Sequence, residues 1–404
     1  MSTILDHIQD HESIELTQQL IRIPSFLWQE SEIGRWLANW MSQRGYEVEL
    51  QQVPLQDGGL SHQAIGTLRG NGGGPSLMLC GHTDTSDWNG DVFRRDQWRY
   101  DPFGAEIDSG LIYGLGALNM KAGLAAMLIA AEAIRRSGSS PKGDLILACV
   151  VAETGGGVGA LHLIESGCRP EYCIVTEAGD LDVGLISVGY VQGKIRVCGE
   201  FKHRAPYVNP IEKATKVIDA FSPSYARIPA KAAGGWLRYQ AHPLIPGYPA
   251  MAIRDIAHYQ DMTSLTFDLR IVPGMTEDTV REDMAARLEQ IRQEDSEFEY
   301  ELVIPQSEQQ PNMPAREATP LDSPVVSALI AAHKQVTGAE PRVGAGHRIG
   351  ATADTCHFKG AGITCVEYGP GFIPSWPMVD ECVCVDQVIT ATQTLALTAE
   401  ALLL

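Results

Sequence analysis

The sequence predicts an α/β protein with a mostly parallel sheet, into which a smaller α+β domain is inserted. Short apolar runs alternate with helical spacing up to residue 189, which is typical of a parallel sheet covered by helices. The patterning changes near Tyr190, and a Pro-rich polar stretch at residues 307–323 indicates a return linker. Because 404 residues exceed what one hydrophobic core usually holds, we expect residues 1–189 with 306–404 to form one domain and residues 190–305 the inserted domain.

The first domain begins with helices and continues into alternating strands and helices. Apolar residues recur at helical spacing between residues 10 and 44, and Pro24 divides this pattern into two helices. A helix rich in Ala and Leu is predicted over residues 120–136 and ends before Gly138. Short apolar or β-branched runs predict strands at residues 47–51, 62–68, 76–80, 144–151 and 172–176.

The inserted region follows a different pattern. Residues 191–198 alternate in polarity, as expected of an antiparallel strand with one solvated face, and residues 262–272 predict another strand. Helices are predicted over residues 209–221 and 276–293. After the return linker, a helix over residues 324–337, one or two strands and a closing helix over residues 387–403 complete the first domain.

Charge and composition argue against several classes of partner. The chain carries 31 Lys and Arg against 50 Asp and Glu, a net charge of −19, without any basic run, which argues against nucleic acid and anionic membranes. We find no run of about 20 apolar residues and therefore expect no membrane span. The N-terminus lacks the pattern of a secretory signal, and the nine cysteines include no C-x-x-C pair. We therefore expect a cytoplasmic protein with free thiols.

Ionisable residues follow three of the predicted strands directly. His82, Glu153 and Glu177 come after the strands at residues 76–80, 144–151 and 172–176. Because ligands bind at the carboxyl ends of strands in open α/β sheets, we expect these side chains to converge. Imidazole nitrogen and carboxylate oxygen are ligands of divalent metals, and Asp84 is close enough to fix the tautomer of His82. The pattern predicts a metal site at this edge.

Ordered motifs extend along almost the whole chain. They are Trp98, residues 101–103, 108–123 and 153–160, Glu177, Gly199 with His203, residues 268–274, 348–354 and 368–371, and Asp380 with Glu381. Together these motifs resemble those of peptidase family M20. This family includes acetylornithine deacetylase, succinyl-diaminopimelate desuccinylase, aminoacylase-1 and glutamate carboxypeptidase.

The resemblance implies a zinc-aminopeptidase-like catalytic domain interrupted by a lid domain that mediates dimerisation. It also implies a two-metal site that hydrolyses amides, in which His82 and Glu177 match ligands of one metal and Glu153 matches the general base. His203 matches a histidine that reaches into the partner subunit's site and stabilises the oxyanion, so a homodimer through the lid is expected. Arg348 matches a position that holds a substrate carboxylate.

Three positions depart from the family pattern. The bridging Asp is Asn119, the Glu of the second metal is Thr154, and the last His aligns with Pro377. Two adjacent divalent cations need several anionic oxygens, and this set retains one carboxylate. We therefore expect one divalent ion per subunit, Mn²⁺ or Zn²⁺. The expected ligands are His82, Asn119 and Glu177, with His347 or His357 left open as a further ligand.

Two functional hypotheses follow. The first is a metal-dependent hydrolase that cleaves a C–N bond, of an amide or an aryl amine, in a small carboxylate-bearing substrate. Water activated by the metal would lose its proton to Glu153. The alternative is a metal-free member, either a binding protein or an enzyme that uses Glu153, His203 and Arg348 for condensation or cyclisation. The predicted catalytic residues are Glu153, Asp84 and His203, and the predicted substrate contacts are Arg348, His347 and Asn119.

Overall fold

The computed structural model describes residues 4–55, 58–86, 95–200, 208–221, 239–305, 311–348, 351–372 and 379–404. The chain divides into two compact units, Met1–Ile186 with Ala318–Leu404 and Ser187–Glu317. The first unit is therefore formed by two separate stretches of sequence, and the second is inserted between them.

The secondary structure of the described residues is as follows. The helices are α1 Asp10–Ile21, α2 Ser31–Ser42, α3 Ala122–Arg136, α4 Val158–Glu165, α5 Pro210–Phe221, α6 Glu277–Glu294, α7 Pro324–Thr337, α8 Thr355–Gly360 and α9 Val385–Leu403. The strands are β1 Glu47–Pro54, β2 Leu60–Leu68, β3 Leu77–His82, β4 Ile107–Asp108, β5 Leu111–Tyr113, β6 Leu145–Val150, β7 Tyr172–Val175, β8 Val183–Ile186, β9 Gly189–Cys198, β10 Ala250–Tyr259, β11 Met262–Ile271, β12 Glu299–Val303, β13 Val343–Ala345, β14 Thr364–Glu367 and β15 Cys382–Cys384.

The first unit is built on a sheet with the strand order β1-β2-β6-β3-β7-β14-β8-β13 among the described residues. Its central strands β6, β3, β7 and β14 run parallel, whereas β1, β2 and β6 pair antiparallel. Every residue of β3 and β7 is buried, as expected for parallel strands covered on both faces. A smaller sheet, β15-β5-β4, belongs to the same unit. The predicted α/β class is confirmed.

Alternate residues of the central strands enter two different hydrophobic cores. Leu77 and Leu79 of β3 belong to the larger core, which includes residues of α1, α2, α3, α7 and α9. Met78 and Cys80 belong to the core on the opposite face, together with Phe358 of α8. This period of two follows from the pleat of a strand. Helices therefore cover both faces of the sheet, and the strand ends remain as the place for a site.

One helical stretch among the described residues, Ala117–Arg136, is long and apolar enough to cross a membrane. Its most apolar window is 94% buried inside the protein. Within α3, every residue from Ala122 to Ile134 is buried, so this stretch is a core helix. Four charged residues, Lys121, Glu132, Arg135 and Arg136, interrupt the apolar run, although the average hydropathy of the stretch is high.

The second unit pairs an antiparallel sheet with two helices. Its strand order is β10-β11-β9-β12 among the described residues. Thr276 is the N-cap residue that precedes helix α6, and its side chain accepts a hydrogen bond from the Thr279 N–H. Val280, Met284 and Leu288 lie at helical spacing on the buried face of α6. The alternating polarity of residues 191–198 corresponds to β9, which pairs with β11 and β12.

Two elements carry no clear signal in the sequence. Residues 254–259 of β10 are exposed, so this strand is held by its pairing with β11 rather than by a buried face. Helix α4 is only eight residues long and follows the glycines at residues 155–157, a stretch whose composition predicts a tight turn.

Candidate active site

Three ionisable side chains meet at the carboxyl ends of adjacent strands. His82 is the last residue of β3, and Glu153 and Glu177 follow β6 and β7. Because β3 pairs in parallel with both β6 and β7, the three strand ends are neighbours. The ligand atoms of these side chains all lie within 4.8 Å of one another. All three residues are buried, with exposed fractions of 1%, 8% and 2%.

The contacts of the His82 ring show which group fits between these side chains. Its Nδ1 lies 2.9 Å from the backbone carbonyl of Asp84, which can only accept, so Nδ1 carries the hydrogen. In the neutral ring Nε2 is then an acceptor, and it faces Asn119 Oδ1 at 3.0 Å and Glu177 Oε1 at 3.4 Å. Three electron-pair donors converge, which is the arrangement that a divalent cation satisfies. The residues present therefore fit a divalent metal ion.

Asn119 reaches this position from a turn rather than from a helix. The sequence predicts a helix that starts at residue 120, but α3 begins at Ala122, and Asn119 has φ −122° and ψ 92°. The carboxylate of Glu381 accepts hydrogen bonds from the backbone N–H groups of Gly116, Leu118 and Asn119 at 2.9, 2.9 and 3.0 Å. Glu381 thus fixes the turn that carries the Asn119 amide.

The polar groups of the turn after β6 form hydrogen bonds with Asp84. The Asp84 carboxylate accepts hydrogen bonds from the backbone N–H groups of Glu153 and Thr154, both at 3.0 Å. The Thr154 hydroxyl also donates to Asp84 Oδ2, at 2.6 Å. Asp84 therefore contacts His82 mainly through its backbone carbonyl, while its carboxylate, 3.4 Å from Nδ1, mainly holds the turn.

Burial and neighbouring charges shift the pKa values of these groups. Burial raises the pKa of Glu153 well above its usual range, although His82 acts in the opposite direction. For His82, burial lowers the pKa, but the carboxylates of Asp84 and Glu177 outweigh this effect and raise it well above normal. Burial raises the pKa of Glu177, yet His82 and His347 lower it below the usual range. The buried ionisable groups at this edge therefore shift one another's pKa values.

The structure separates the two histidines that the sequence left open as further ligands. His347 is buried, and its Nε2 lies 3.3 Å from Glu177 Oε2. His357 instead has its Nε2 2.9 Å from the backbone carbonyl of Gly156. His347 therefore contacts a predicted metal ligand, Glu177, in the part of the chain that the structure describes. His203, Pro377 and the side chain of Arg348 lie outside the described residues, and their roles stay predictions.

Sequence reasoning missed one acidic residue at this edge. Glu367 is the last residue of β14, is buried, and has its Oε2 3.4 Å from Nδ1 of His347. The signal that marked Glu153 and Glu177, an acidic residue at the carboxyl end of a short apolar strand, also occurs at Glu367. Applied to the strand at residues 364–367, the same rule finds it.

Comparisons with known proteins identify relatives over most of the chain. The sequence profile of Peptidase family M20/M25/M40 matches residues 78–401. The chain is 27% identical to N-formyl-4-amino-5-aminomethyl-2-methylpyrimidine deformylase of Bacillus subtilis, over 96% of this chain and 94% of that protein. It is 29% identical to acetylornithine deacetylase of Proteus mirabilis, over 65% of this chain and 68% of that protein.

A solved structure shows the same fold. The M20 family metallo-carboxypeptidase Sso-CP2 of Sulfolobus solfataricus superposes with a TM-score of 0.76 at 18% identity, over 97% of this chain and 99% of that one. The named relatives are hydrolases, which confirms the prediction that this protein is an enzyme. The extent of the profile match and the shared fold confirm the resemblance seen in the sequence: this chain belongs to Peptidase family M20/M25/M40.

Proposed function

We propose that this protein hydrolyses the amide C–N bond of a small N-acyl compound with the help of one divalent ion, Zn²⁺ or Mn²⁺. The observation that carries the proposal is the convergence of His82 Nε2, Asn119 Oδ1 and Glu177 Oε1 beside Glu153. His82, Asn119 and Glu177 would hold the ion. When bound, such an ion lowers the pKa of water and polarises a carbonyl oxygen.

The donor set supports one ion rather than two. Among the described residues, one group of His, Cys, Asp and Glu side chains has the spacing of a metal site, namely His82, Glu153 and Glu177. The neutral amide of Asn119 is a poor bridge between two cations. Thr154 matches the position of a second-metal ligand, but its hydroxyl donates a hydrogen bond to Asp84 instead. These features support a single ion.

Glu153 is the proposed general base. Its carboxylate lies within reach of the His82 and Glu177 ligand atoms and is held by the turn that Asp84 fixes. In this role Glu153 takes a proton from the attacking water and delivers it to the leaving nitrogen. The low exposure of the site keeps bulk water away from both transfers.

The proposed substrate class follows from the family. The similar proteins named above include a deformylase and a deacetylase, and succinyl-diaminopimelate desuccinylase is a further relative, at 31% identity over 53% of this chain. The names of all three describe removal of an acyl group. We therefore favour an N-acyl amine over an aryl amine. A substrate carboxylate held by Arg348 is a separate part of the proposal, which hydrolysis of the formylated pyrimidine alone would contradict, because that compound has no carboxylate.

Hydrolysis assays on three compounds test this proposal. N-formyl-4-amino-5-aminomethyl-2-methylpyrimidine, N-acetylornithine and N-succinyl-diaminopimelate are incubated with protein that has been stripped by a chelator and then reloaded with Zn²⁺ or Mn²⁺. We expect amine release from at least one compound, only after reloading, with one ion per subunit by elemental analysis. Activity that is unchanged by stripping would support the metal-free alternative, and no hydrolysis of any compound by loaded protein would contradict the substrate class.

The expected homodimer belongs to the same proposal. The family resemblance assigns dimerisation to the inserted region, proposed as residues 190–305, and gives His203 a role in the partner's site. Light scattering at micromolar concentration should therefore give twice the mass of one 43.9 kDa chain. A fully active monomer would contradict both the dimer and the role of His203.

A further inference from the structure

A buried row of alternating carboxylates and imidazoles runs through the site. Glu367 Oε2 lies 3.4 Å from Nδ1 of His347, and Nε2 of the same ring lies 3.3 Å from Glu177 Oε2. On the other side of Glu177, Oε1 lies 3.4 Å from Nε2 of His82. The two oxygens of Glu177 thus face two different histidines, and neither His347 nor Glu367 has a role in the function proposed above.

The backbone is shaped to bring Glu367 and His347 together. His347 follows β13 and has the left-handed angles φ 50° and ψ 21°, which few residues with a side chain adopt. A Cβ at the preceding Gly346 would overlap the Glu367 carboxylate. A Cβ at Gly184 would come within 2.8 Å of Gly346 Cα and 2.9 Å of Glu367 Cβ. Two glycines and one strained residue are therefore needed for this close approach.

We propose that His347 and Glu367 form a positioning pair that makes Glu177 a one-oxygen metal ligand. His347 Nε2–H donates to Glu177 Oε2, so that oxygen is occupied and only Oε1 is presented toward His82 and the ion. Glu367 Oε2 lies 3.4 Å from Nδ1, at ion-pair distance but without the geometry of a hydrogen bond, and the close approach at Gly346 and Gly184 keeps its carboxylate against the ring. This inference rests on the proposed metal-dependent function. Among the described residues, the group with metal-site spacing is His82, Glu153 and Glu177, and His347 contacts it through Glu177.

The proposed pair has a functional consequence. A carboxylate that binds through one oxygen occupies one coordination position instead of two, which leaves more positions for water and substrate. Partners that orient a metal ligand typically change metal affinity by about 10–100-fold when removed. Loss of His347 should therefore lower the affinity for the ion and also change its coordination. Loss of a buried histidine with a purely structural role would not change the coordination.

Four variants and two probes test the pair. For His347→Ala we expect Zn²⁺ affinity, measured by competition with a chromophoric chelator, to fall by about 10–100-fold. His347→Gln keeps an N–H near the position of Nε2 and should recover most of that affinity, and Glu367→Gln should show an intermediate loss. The control is His333→Ala, which removes another buried histidine of the same unit, one whose Nδ1 contacts the Tyr368 hydroxyl at 2.8 Å. It should lower thermal stability and leave Zn²⁺ affinity within about threefold.

The Co²⁺-loaded protein supplies the second readout. In His347→Ala, Glu177 can bind through both oxygens, so the visible absorption of Co²⁺ should weaken as its coordination number rises. Unchanged Zn²⁺ affinity and an unchanged Co²⁺ spectrum in His347→Ala would overturn the positioning pair and leave the proposed function intact. X-ray absorption that counts two imidazoles on Zn²⁺ in the wild type would also overturn it, because His347 would then be a direct ligand. A wild type that binds neither ion would refute the proposed metal-dependent function itself.

Discussion

The two sides of the site use their polar groups in different ways. On the side of β3 and β7, Asn119 Oδ1 and Glu177 Oε1 lie 3.0 and 3.4 Å from His82 Nε2, and all three atoms are acceptors when Nε2 carries no proton. On the side of the turn after β6, the Thr154 hydroxyl donates to Asp84 at 2.6 Å. Converging acceptors are unfavourable when buried unless a cation joins them, whereas a donor paired with an acceptor is satisfied by the protein alone.

This difference explains how one ligand position can change without loss of the fold. A Glu at position 154 would place a second carboxylate beside Asp84 and would need a cation between them. Thr154 instead has a hydroxyl that donates a hydrogen bond to Asp84. The same Asp84 carboxylate accepts the backbone N–H groups of residues 153 and 154, so the turn keeps the position of Glu153. The site therefore retains the proposed base while it loses a ligand of the second ion.

The largest expected effect comes from Glu153, which lies between the two sides. Glu153→Gln keeps the size of the side chain but cannot accept a proton, so we expect kcat to fall by about 10²–10⁴-fold. Zn²⁺ affinity should change little, because Glu153 is not a proposed ligand. Steady-state kinetics on the N-acyl compound that is cleaved, with chelator competition in parallel, measures both. Glu165→Gln, on α4, is a control that should keep wild-type kcat. A Glu153→Gln enzyme with more than about a tenth of wild-type kcat would show that another group is the base.

Much of the site could be predicted from the sequence because its signals are local. His82, Glu153 and Glu177 each follow an apolar strand, and parallel strands end at one edge. The placement of Asn119 could not be predicted in this way, because it depends on hydrogen bonds to Glu381, which is 262 residues further along the chain. The residues from position 120 onward have helical spacing, so the sequence predicts a helix where the structure has a turn.

The contact of His347 with Glu367 was hidden for a similar reason. It requires β13, β8 and β14 to lie side by side, an order that does not follow the order of the chain. It also requires glycines at positions 184 and 346, whose role becomes visible only when the neighbouring strands are in place. Sequence patterns identify strands and their ends, whereas the order of non-consecutive strands depends on packing of the whole sheet.

A smaller effect, on stability, tests the turn side of the comparison. Thr154→Val keeps the shape of the side chain and removes the hydroxyl that donates to the Asp84 carboxylate. A hydrogen bond to a charged group contributes about 1.5–3 kcal/mol, so the free energy of unfolding should fall by about that amount. Urea denaturation with a chelator present measures it without a contribution from bound ions.

The matched control for this variant is the neighbouring Thr83. Thr83 is buried, and its hydroxyl donates to the neutral backbone carbonyl of Val150 at 3.0 Å. Thr83→Val should therefore cost less, about 0.5–1.5 kcal/mol. Equal losses in Thr83→Val and Thr154→Val would mean that the charge of Asp84 adds nothing, and the contrast between the two sides of the site would be wrong.

The smallest expected effect concerns the ion itself. Asn119→Asp places a carboxylate oxygen where the amide oxygen lies 3.0 Å from His82 Nε2. A full negative charge beside the ion should increase the affinity for Zn²⁺ by about tenfold, which corresponds to about 1.4 kcal/mol of binding free energy. The gain is modest because Glu177 already supplies one charge and because a buried carboxylate loses its hydration. The stoichiometry should stay at one ion per subunit, since Thr154 still gives its hydroxyl to Asp84 and no second donor set is created. Chelator competition gives the affinity, and elemental analysis after loading with Zn²⁺ or Mn²⁺ gives the count. If Asn119→Asp alone binds two ions, the turn side must contain ligands that the Thr154–Asp84 contact conceals, and the two sides of the site are then alike.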